Sequence, residues 1–289
     1  MSMVLFDVPG PKANARHKIM AVIGIAAVLA ALVYVVMRFI ATDQFSSRRL
    51  DWINYKQIQL SLVDAIGNTL SAFAVGAVLA LAFGAIFAAA RLSDHAWLRV
   101  PAAVIVEVFR AIPLVIMMFF FYYGLPVAGV KLSAFTAVVI SLMLYNGSVL
   151  AEIFRAGINS LPKGQSEAAY ALGMRKTQVM TFVLLPQALR AMLPTIISQL
   201  VVLLKDTALG FLITYEELLR WGTRIGGDAV NFGRPIISVM IVVAAIYIGL
   251  CLLLTWLATY LEKRNRRNKK VIHTDDVEKP VLMDASAAG

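Results

Sequence analysis

Charged side chains are scarce in this sequence. Asp, Glu, Lys and Arg make up 15% of its 289 residues, against about 25% in ordinary soluble domains. Hydrophobic residues make up 60%, and the mean hydropathy is +0.77. Because so much apolar surface needs a non-aqueous environment, the composition excludes an ordinary soluble domain. It predicts an all-α, polytopic membrane protein.

The residues of redox and metal chemistry are equally rare. Cys251 is the only cysteine, which excludes an intramolecular disulfide, and its apolar surroundings favour a packing role. The three histidines, His17, His95 and His273, are far apart in the sequence and lack metal-ligand spacing. No glycine-rich phosphate loop of the Walker type is present. The sequence therefore predicts no catalytic residue, no metal site and no cofactor in this chain.

Apolar runs long enough to cross a bilayer, which takes about 20 residues, recur along the chain. We predict six membrane-spanning helices, at residues 19–40, 62–90, 98–123, 132–153, 189–213 and 236–261. The tail after residue 261 begins with a basic run and has no apolar period, so we expect it to be largely disordered. Its basic residues are expected to contact anionic lipid headgroups.

The net charge of +10 has a membrane explanation, because Lys and Arg accumulate in cytoplasmic loops. With the N-terminus inside, 17 of them lie on the cytoplasmic side and eight outside. The cytoplasmic set comprises three in the N-terminal tail, two at 91–99, five at 154–190 and seven in the C-terminal tail. This asymmetry predicts a multi-pass plasma-membrane protein with both termini in the cytoplasm, and no nucleic-acid partner.

The predicted cytoplasmic loop at residues 155–187 is too long for a simple turn between spans. Helix-forming residues run from 165 to 172, and Gly173 is placed to end or bend that helix. Ala168 and Ala169 allow close approach of another protein, and Glu167 carries a charge that the start of a helix favours. These residues predict either a docking element for a partner or a short helix on lipid headgroups.

A spaced motif in this loop resembles a known family. Glu167, Ala168, Ala169 and Gly173 are followed by Val183, Leu185 and Pro186, a pattern similar to the EAA loop of ABC importer permeases. That loop usually has isoleucine where Val183 stands. Residues 108–126, 151–174 and 185–209 are similar to the polar amino acid branch, closest to actinobacterial glutamate-importer permeases. Ala111, Ile112 and Met117 depart from the pattern often found in that branch.

The resemblance implies a type I ABC importer permease fold with a five-helix core at residues 62–260. Residues 1–61 are then a cytoplasmic tail, an extra membrane helix and an outer loop, and residues 261–289 a cytoplasmic tail. It also implies four kinds of partner: an ABC ATPase dimer that binds ATP and Mg²⁺, a second permease, expected to be a paralogue, an extracytoplasmic substrate-binding protein, and membrane lipids. Glu167, Ala168, Ala169 and Gly173 would contact the ATPase. Glutamate or glutamine is the favoured substrate.

Charged and polar residues inside the predicted spans are candidates for the translocation pathway or a gate, because charges in a bilayer are costly. The candidates are Glu107, Arg110, Asn146, Gln199, Lys205 and Asp206. Glu107 and Arg110 are spaced to pair on one helix face. Arg110 or Lys205 could bind the carboxylate of an amino acid, and Glu107 or Asp206 its ammonium. The alternative is that these residues only hold helices together.

Two other functions stay open from the residues alone. An ion-gradient-driven secondary amino acid transporter would work without an ATPase, and a channel or scaffold would not concentrate its substrate. The EAA-like loop argues against both.

Pro113, which follows the Glu107–Arg110 pair, is expected to kink the third span.

Overall fold

A computed structural model describes residues 10–267, with side chains through residue 260. These residues are helical and contain no strand, which confirms the predicted all-α fold class. The helices are α1 (Pro11–Ala41), α2 (Ser47–Leu50), α3 (Lys56–Arg91), α4 (Ala96–Ala111), α5 (Leu114–Phe119), α6 (Ala134–Asn159), α7 (Lys163–Ala171), α8 (Lys176–Gln178), α9 (Leu185–Asp206), α10 (Leu218–Gly226), α11 (Ala229–Phe232) and α12 (Ile236–Arg267). Tighter 3₁₀ turns occur at Asp51–Asn54, Leu125–Ala128 and Thr207–Ile213, and wider π-helical turns at Phe120–Gly124 and Val179–Leu184.

Five helical stretches of the described residues are long and apolar enough to cross a membrane. They are Pro11–Ala41, Lys56–Arg91, Ala134–Asn159, Lys176–Ile213 and Ile236–Tyr260. A sixth candidate is the pair Ala96–Ala111 and Leu114–Ala128, which passes the same test only as a pair. The chain is therefore a multi-pass membrane protein, as predicted.

The third predicted span, residues 98–123, is not one straight helix. Its two halves are bent by 95°, which is a break rather than the expected kink. Ile112 is extended, with φ −80° and ψ 125°, because the ring of Pro113 disfavours a helical conformation in the preceding residue. Proline also lacks the backbone N–H that would continue the hydrogen-bonding pattern of the helix.

The chain divides into two compact units, one made of residues 10–69 and 214–246, the other of residues 70–213 and 247–267. In the first unit, no residue of α1 is buried, and its apolar side chains are exposed along its length. Trp52 is buried in the core of this unit, and its ring packs edge-on against that of Trp221, with the ring centroids 5.9 Å apart. Its Nε1 donates a hydrogen bond to Ser238 Oγ at 3.2 Å.

In the second unit, α6 packs against α4 and α9 and is the most buried of the candidate spans. Two glycines let α3 and α6 touch. A Cβ on Gly147 would lie 2.9 Å from Phe83 Cδ1, and one on Gly84 would lie 2.8 Å from Leu150 Cβ. Such close crossings through small residues are typical of helices packed in membranes.

The predicted division at residues 61 and 261 stays a prediction. The last helix, α12, extends to Arg267, beyond the predicted end of the span at 261. The tail expected to be largely disordered begins after residue 261, but its first residues, 262–267, continue α12. The rest of that tail lies outside the residues that the structure describes.

Candidate coupling segment and membrane polar residues

The EAA-like motif forms a short helix with a defined end. Helix α7 follows Pro162, and its last turn is closed by two hydrogen bonds: Gly173 N–H to Tyr170 O at 2.9 Å, and Met174 N–H to Ala169 O at 3.2 Å. This is a Schellman arrangement, which needs a left-handed residue after the helix. Gly173 supplies it, with φ +76°. Gly173 therefore sets the direction in which the chain leaves α7.

The two alanines of the motif lie on different sides of α7. Ala168 and Glu167 are exposed. Ala169 is only 5% exposed, because α7 packs against the Val179–Leu184 turn of its own chain. This corrects the expectation that both alanines face a partner.

Large apolar side chains take the exposed positions in the same segment. Leu172 is 83% exposed, Phe182 73% and Tyr170 48%. Leu172 directly precedes the Gly173 turn, so it stands at the tip of the segment. Phe182 lies in the candidate span Lys176–Ile213, where lipid can cover it, whereas Leu172 and Tyr170 lie outside the candidate spans and are candidates for contact with a partner. Sequence reasoning missed Leu172, although its place between Ala168 and Gly173 was a usable signal.

A second contact fixes the segment to the rest of its unit. Lys176 Nζ lies 2.5 Å from Asp94 Oδ1 and donates a hydrogen bond to Leu92 O at 3.2 Å. The hydrogen bond from Lys176 lowers the pKa of the Asp94 carboxyl. The Asp94 carboxyl is ionised at neutral pH, and the stabilisation that this pair contributes is lost as the pH falls through the lowered pKa. We call this contact the Lys176–Asp94 latch.

A cluster of charges surrounds the end of α3. Arg91, whose side chain is 11% exposed, lies 2.9 Å from Glu152 and 3.9 Å from Glu107. Arg155 also pairs with Glu152, through a hydrogen bond from Nε at 3.0 Å and a second from Nη2. The predicted pairing of Glu107 with Arg110 is not what the structure shows, since Glu107 approaches Arg91 and Arg110 is exposed.

Three of the predicted pathway residues meet between two candidate membrane spans, α6 and α9. Asn146 is fully buried. Its Nδ2 donates to Asp206 Oδ2 at 3.1 Å, and its Oδ1 accepts from Gln199 Nε2 at 2.7 Å. This network joins α6 to α9. It provides hydrogen-bond partners for polar side chains that would be costly if left unpaired inside a bilayer. The side chain of Lys205 is exposed and takes no part in the network.

This chain is similar to known transport proteins. The family model described as "Binding-protein-dependent transport system inner membrane component" matches residues 80–267. The glutamate transport system permease protein GluD of Corynebacterium glutamicum is 44% identical over 221 residues, which cover 75% of this chain and 80% of that protein. The probable glutamine ABC transporter permease protein GlnP of Bacillus subtilis is 35% identical, over 74% of this chain and 99% of its own length.

This chain also has the same fold as a chain of a solved ABC transporter structure. The crystal structure of an amino acid ABC transporter with histidines contains a chain that is 29% identical and superposes with a TM-score of 0.67. The match covers 74% of this chain and 98% of that one, and it confirms the predicted ABC importer permease fold. The chain therefore belongs to the family of inner membrane components of binding-protein-dependent transport systems.

Proposed function

We propose that this chain forms the translocation pathway of an ATP-driven importer for a polar amino acid, with glutamate or glutamine as the favoured substrate. The names of its relatives support that substrate class. The family assignment and the similarity to permeases and structures named as ABC transporters favour this function over an ion-gradient-driven transporter. The chain itself is not catalytic in this proposal, and a separate ATPase dimer binds ATP and Mg²⁺.

The observation that carries the coupling step is the exposed surface of α7. Glu167, Ala168 and Leu172 are its contact residues for the ATPase, and Gly173 holds the turn that presents Leu172. An exposed leucine costs about 1.5–3 kcal/mol relative to a buried one, so a partner that covers Leu172 gains free energy. Ala169 does not contact the ATPase in this proposal, because it is buried within this chain. Its small side chain lets α7 pack closely against the Val179–Leu184 turn.

The proposed contact between α7 and the ATPase determines the orientation of the chain in the membrane. The ATPase works in the cytoplasm, so α7 and the Lys176–Asp94 latch lie on that side, and so do both termini. Residues 42–61 and 214–235 then face the outside, where the substrate-binding protein arrives. The excess of Lys and Arg in the segments assigned to the cytoplasm supports the same orientation. A second permease, expected to be a paralogue, completes the pathway, and lipids surround the complex.

Within the membrane we assign the pathway to the Asn146–Gln199–Asp206 network. Its amide and carboxylate oxygens are suited to the ammonium group of an amino acid. Lys205, exposed on the same helix, is the candidate for its carboxylate. Glu107 is assigned a structural role with Arg91, since it lies in the charge cluster at the end of α3.

Reconstitution tests the proposal. The chain, its ATPase and permease partners and the binding protein are placed in proteoliposomes, and uptake of labelled L-glutamate and L-glutamine is measured. We expect concentrative uptake that needs ATP and the binding protein and that resists a protonophore. Uptake that needs no ATP and collapses with the protonophore would favour the secondary transporter instead.

A further inference from the structure

A cavity lies at the end of α3 that the proposed orientation places outside the cell. Its volume is about 310 Å³, at the lower end of the range for small-molecule sites. One wall is a single face of α3, made of Ser61, Asp64, Ala65 and Asn68. These residues recur at the helical spacing that brings side chains onto one face.

The opposite wall comes from the segment around α10. Glu216, Trp221 and Arg224 line it. Hydrogen bonds hold the two walls together: Trp221 Nε1 donates to Ser61 Oγ at 2.9 Å, and Asn68 Nδ2 donates to Glu216 O at 2.8 Å. The start of α10 is fixed as well, because the buried carboxylate of Glu217 accepts from the N–H groups of Leu219 and Arg220, each at 2.7 Å. The cavity is therefore formed before any ligand enters.

Two opposite charges in this cavity, on Asp64 and Arg224, make no side-chain hydrogen bond with any residue of 10–260. Asp64 is exposed and makes no ion pair or side-chain hydrogen bond with any residue of 10–260. Arg224 is 57% exposed in its side chain, and its one recorded contact is a 3.9 Å approach to Glu216, too long for a hydrogen bond. Glu216 is offset by Arg220, whose Nε lies 3.6 Å away. Asp64 and the donors of Arg224 are thus available to a ligand.

This pair of charges has the chemistry to bind the part that all α-amino acids share. A carboxylate accepts hydrogen bonds from an ammonium group, and a guanidinium binds a carboxylate through two parallel N–H groups. We infer that this cavity is an entry subsite for the zwitterionic α-ammonium and α-carboxylate groups of the amino acid, an inference that rests on the proposed function and orientation. Asp64 binds the ammonium and Arg224 the carboxylate. The substrate's side chain is not recognised here, so glutamate and glutamine bind alike.

Protection of an introduced thiol tests the subsite without requiring tight binding. In a Cys251→Ser background, Ser61→Cys is placed in the cavity wall and Lys56→Cys outside it on the same helix. Cells expressing the permeases and the ATPase, but no binding protein, are treated with a membrane-impermeant maleimide. The rate of labelling is measured with L-glutamate, L-glutamine or 2-oxoglutarate, which lacks the ammonium group.

We expect both amino acids to slow labelling of Ser61→Cys, 2-oxoglutarate to have no effect, and Lys56→Cys to be labelled at one rate throughout. Asp64→Asn and Arg224→Gln should each raise the half-protecting concentration about tenfold or more, the cost of a lost charge-assisted hydrogen bond. Asp64→Glu should restore protection, and Lys56→Gln should not change it.

Three results would overturn the subsite: no protection, equal protection by 2-oxoglutarate, or protection that Asp64→Asn leaves unchanged. A higher requirement for binding protein in Asp64→Asn, with thiol protection intact, would make the cavity a docking surface instead. Uptake by the complete wild-type complex is measured in parallel. If wild-type uptake is absent, the proposed function fails; if it is present without protection, only the subsite fails.

Discussion

Replacing Gly173 separates conformational cost from steric cost. A Cβ at this position would meet no atom within 4 Å, so a side chain fits. The backbone, however, has φ +76°, which costs a residue with a side chain about 1–2 kcal/mol. Asparagine tolerates this region better than alanine, and a β-branched residue tolerates it worst. The structure therefore predicts a graded series of Gly173→Asn, Gly173→Ala and Gly173→Val, with damage rising in that order.

The expected size of the effect follows from that cost. A penalty of about 1–2 kcal/mol lowers the ratio of closed to frayed turn about 5- to 30-fold. Gly164 provides a matched control, because it lies in the first turn of the same helix, has no positive φ and has open space around its Cβ position. Gly164→Ala should leave coupling intact and favour the helix by about 0.5–1 kcal/mol.

Three readouts on each variant complete the test: the amount of permease in the membrane, the amount of ATPase that co-purifies, and ATP hydrolysis stimulated by loaded binding protein. We expect normal membrane insertion throughout, with stimulation falling along the Gly173 series. Wild-type stimulation in Gly173→Val, or equal loss in Gly164→Ala, would refute the role given to the turn.

Three further predictions address the rest of the second unit. Reversing one charge of the Lys176–Asp94 latch, by Asp94→Lys or Lys176→Asp, should reduce stimulated ATP hydrolysis, and combining the two should restore part of it; failure of the double variant to recover would argue against the pair. Gly147→Val should lower the Tm of the purified complex, because a Cβ there lies 2.9 Å from an aromatic carbon and 3.2 Å from a backbone carbonyl of α3, and overpacking costs about 1–3 kcal/mol. Gly249→Ala, at a site with open space, should not change the Tm, and equal values for both variants would contradict the close crossing. Asn146→Leu should lower uptake while the complex still assembles, since it removes the shared partner of two polar side chains, and unchanged uptake kinetics would exclude this network from the pathway.

Local sequence patterns were enough to predict the spans and the helix of the segment that is proposed to couple to an ATPase. Hydropathy over windows of about 20 residues located every candidate span, because a bilayer imposes that length. The spacing from Glu167 to Pro186 located the segment that holds α7. Pro113 predicted a disturbance in the third span, but the 95° angle depends on how both halves pack.

Contacts between distant parts of the sequence could not be read in the same way. Glu107 was expected to pair with Arg110 because helical spacing is visible in a sequence, whereas Arg91 comes from another helix. The partners of Lys176 and the burial of Ala169 likewise depend on how separate segments meet. No local pattern distinguished Ala169 from Ala168, since both are equally compatible with either side of α7.

In the proposed function, an ATPase docks on α7, and its cycle of ATP binding and hydrolysis drives transport through this chain. Leu172→Asp tests this most directly, because Leu172 is 83% exposed and its change should not disturb folding of the chain, while a charge buried at an interface is strongly unfavourable. Co-purified ATPase and the stimulation of ATP hydrolysis by loaded binding protein are measured beside Gly164→Ala. We expect Leu172→Asp to reach the membrane normally but to lose both ATPase co-purification and stimulated hydrolysis. Full co-purification and full stimulation in this variant would contradict docking of the ATPase on α7.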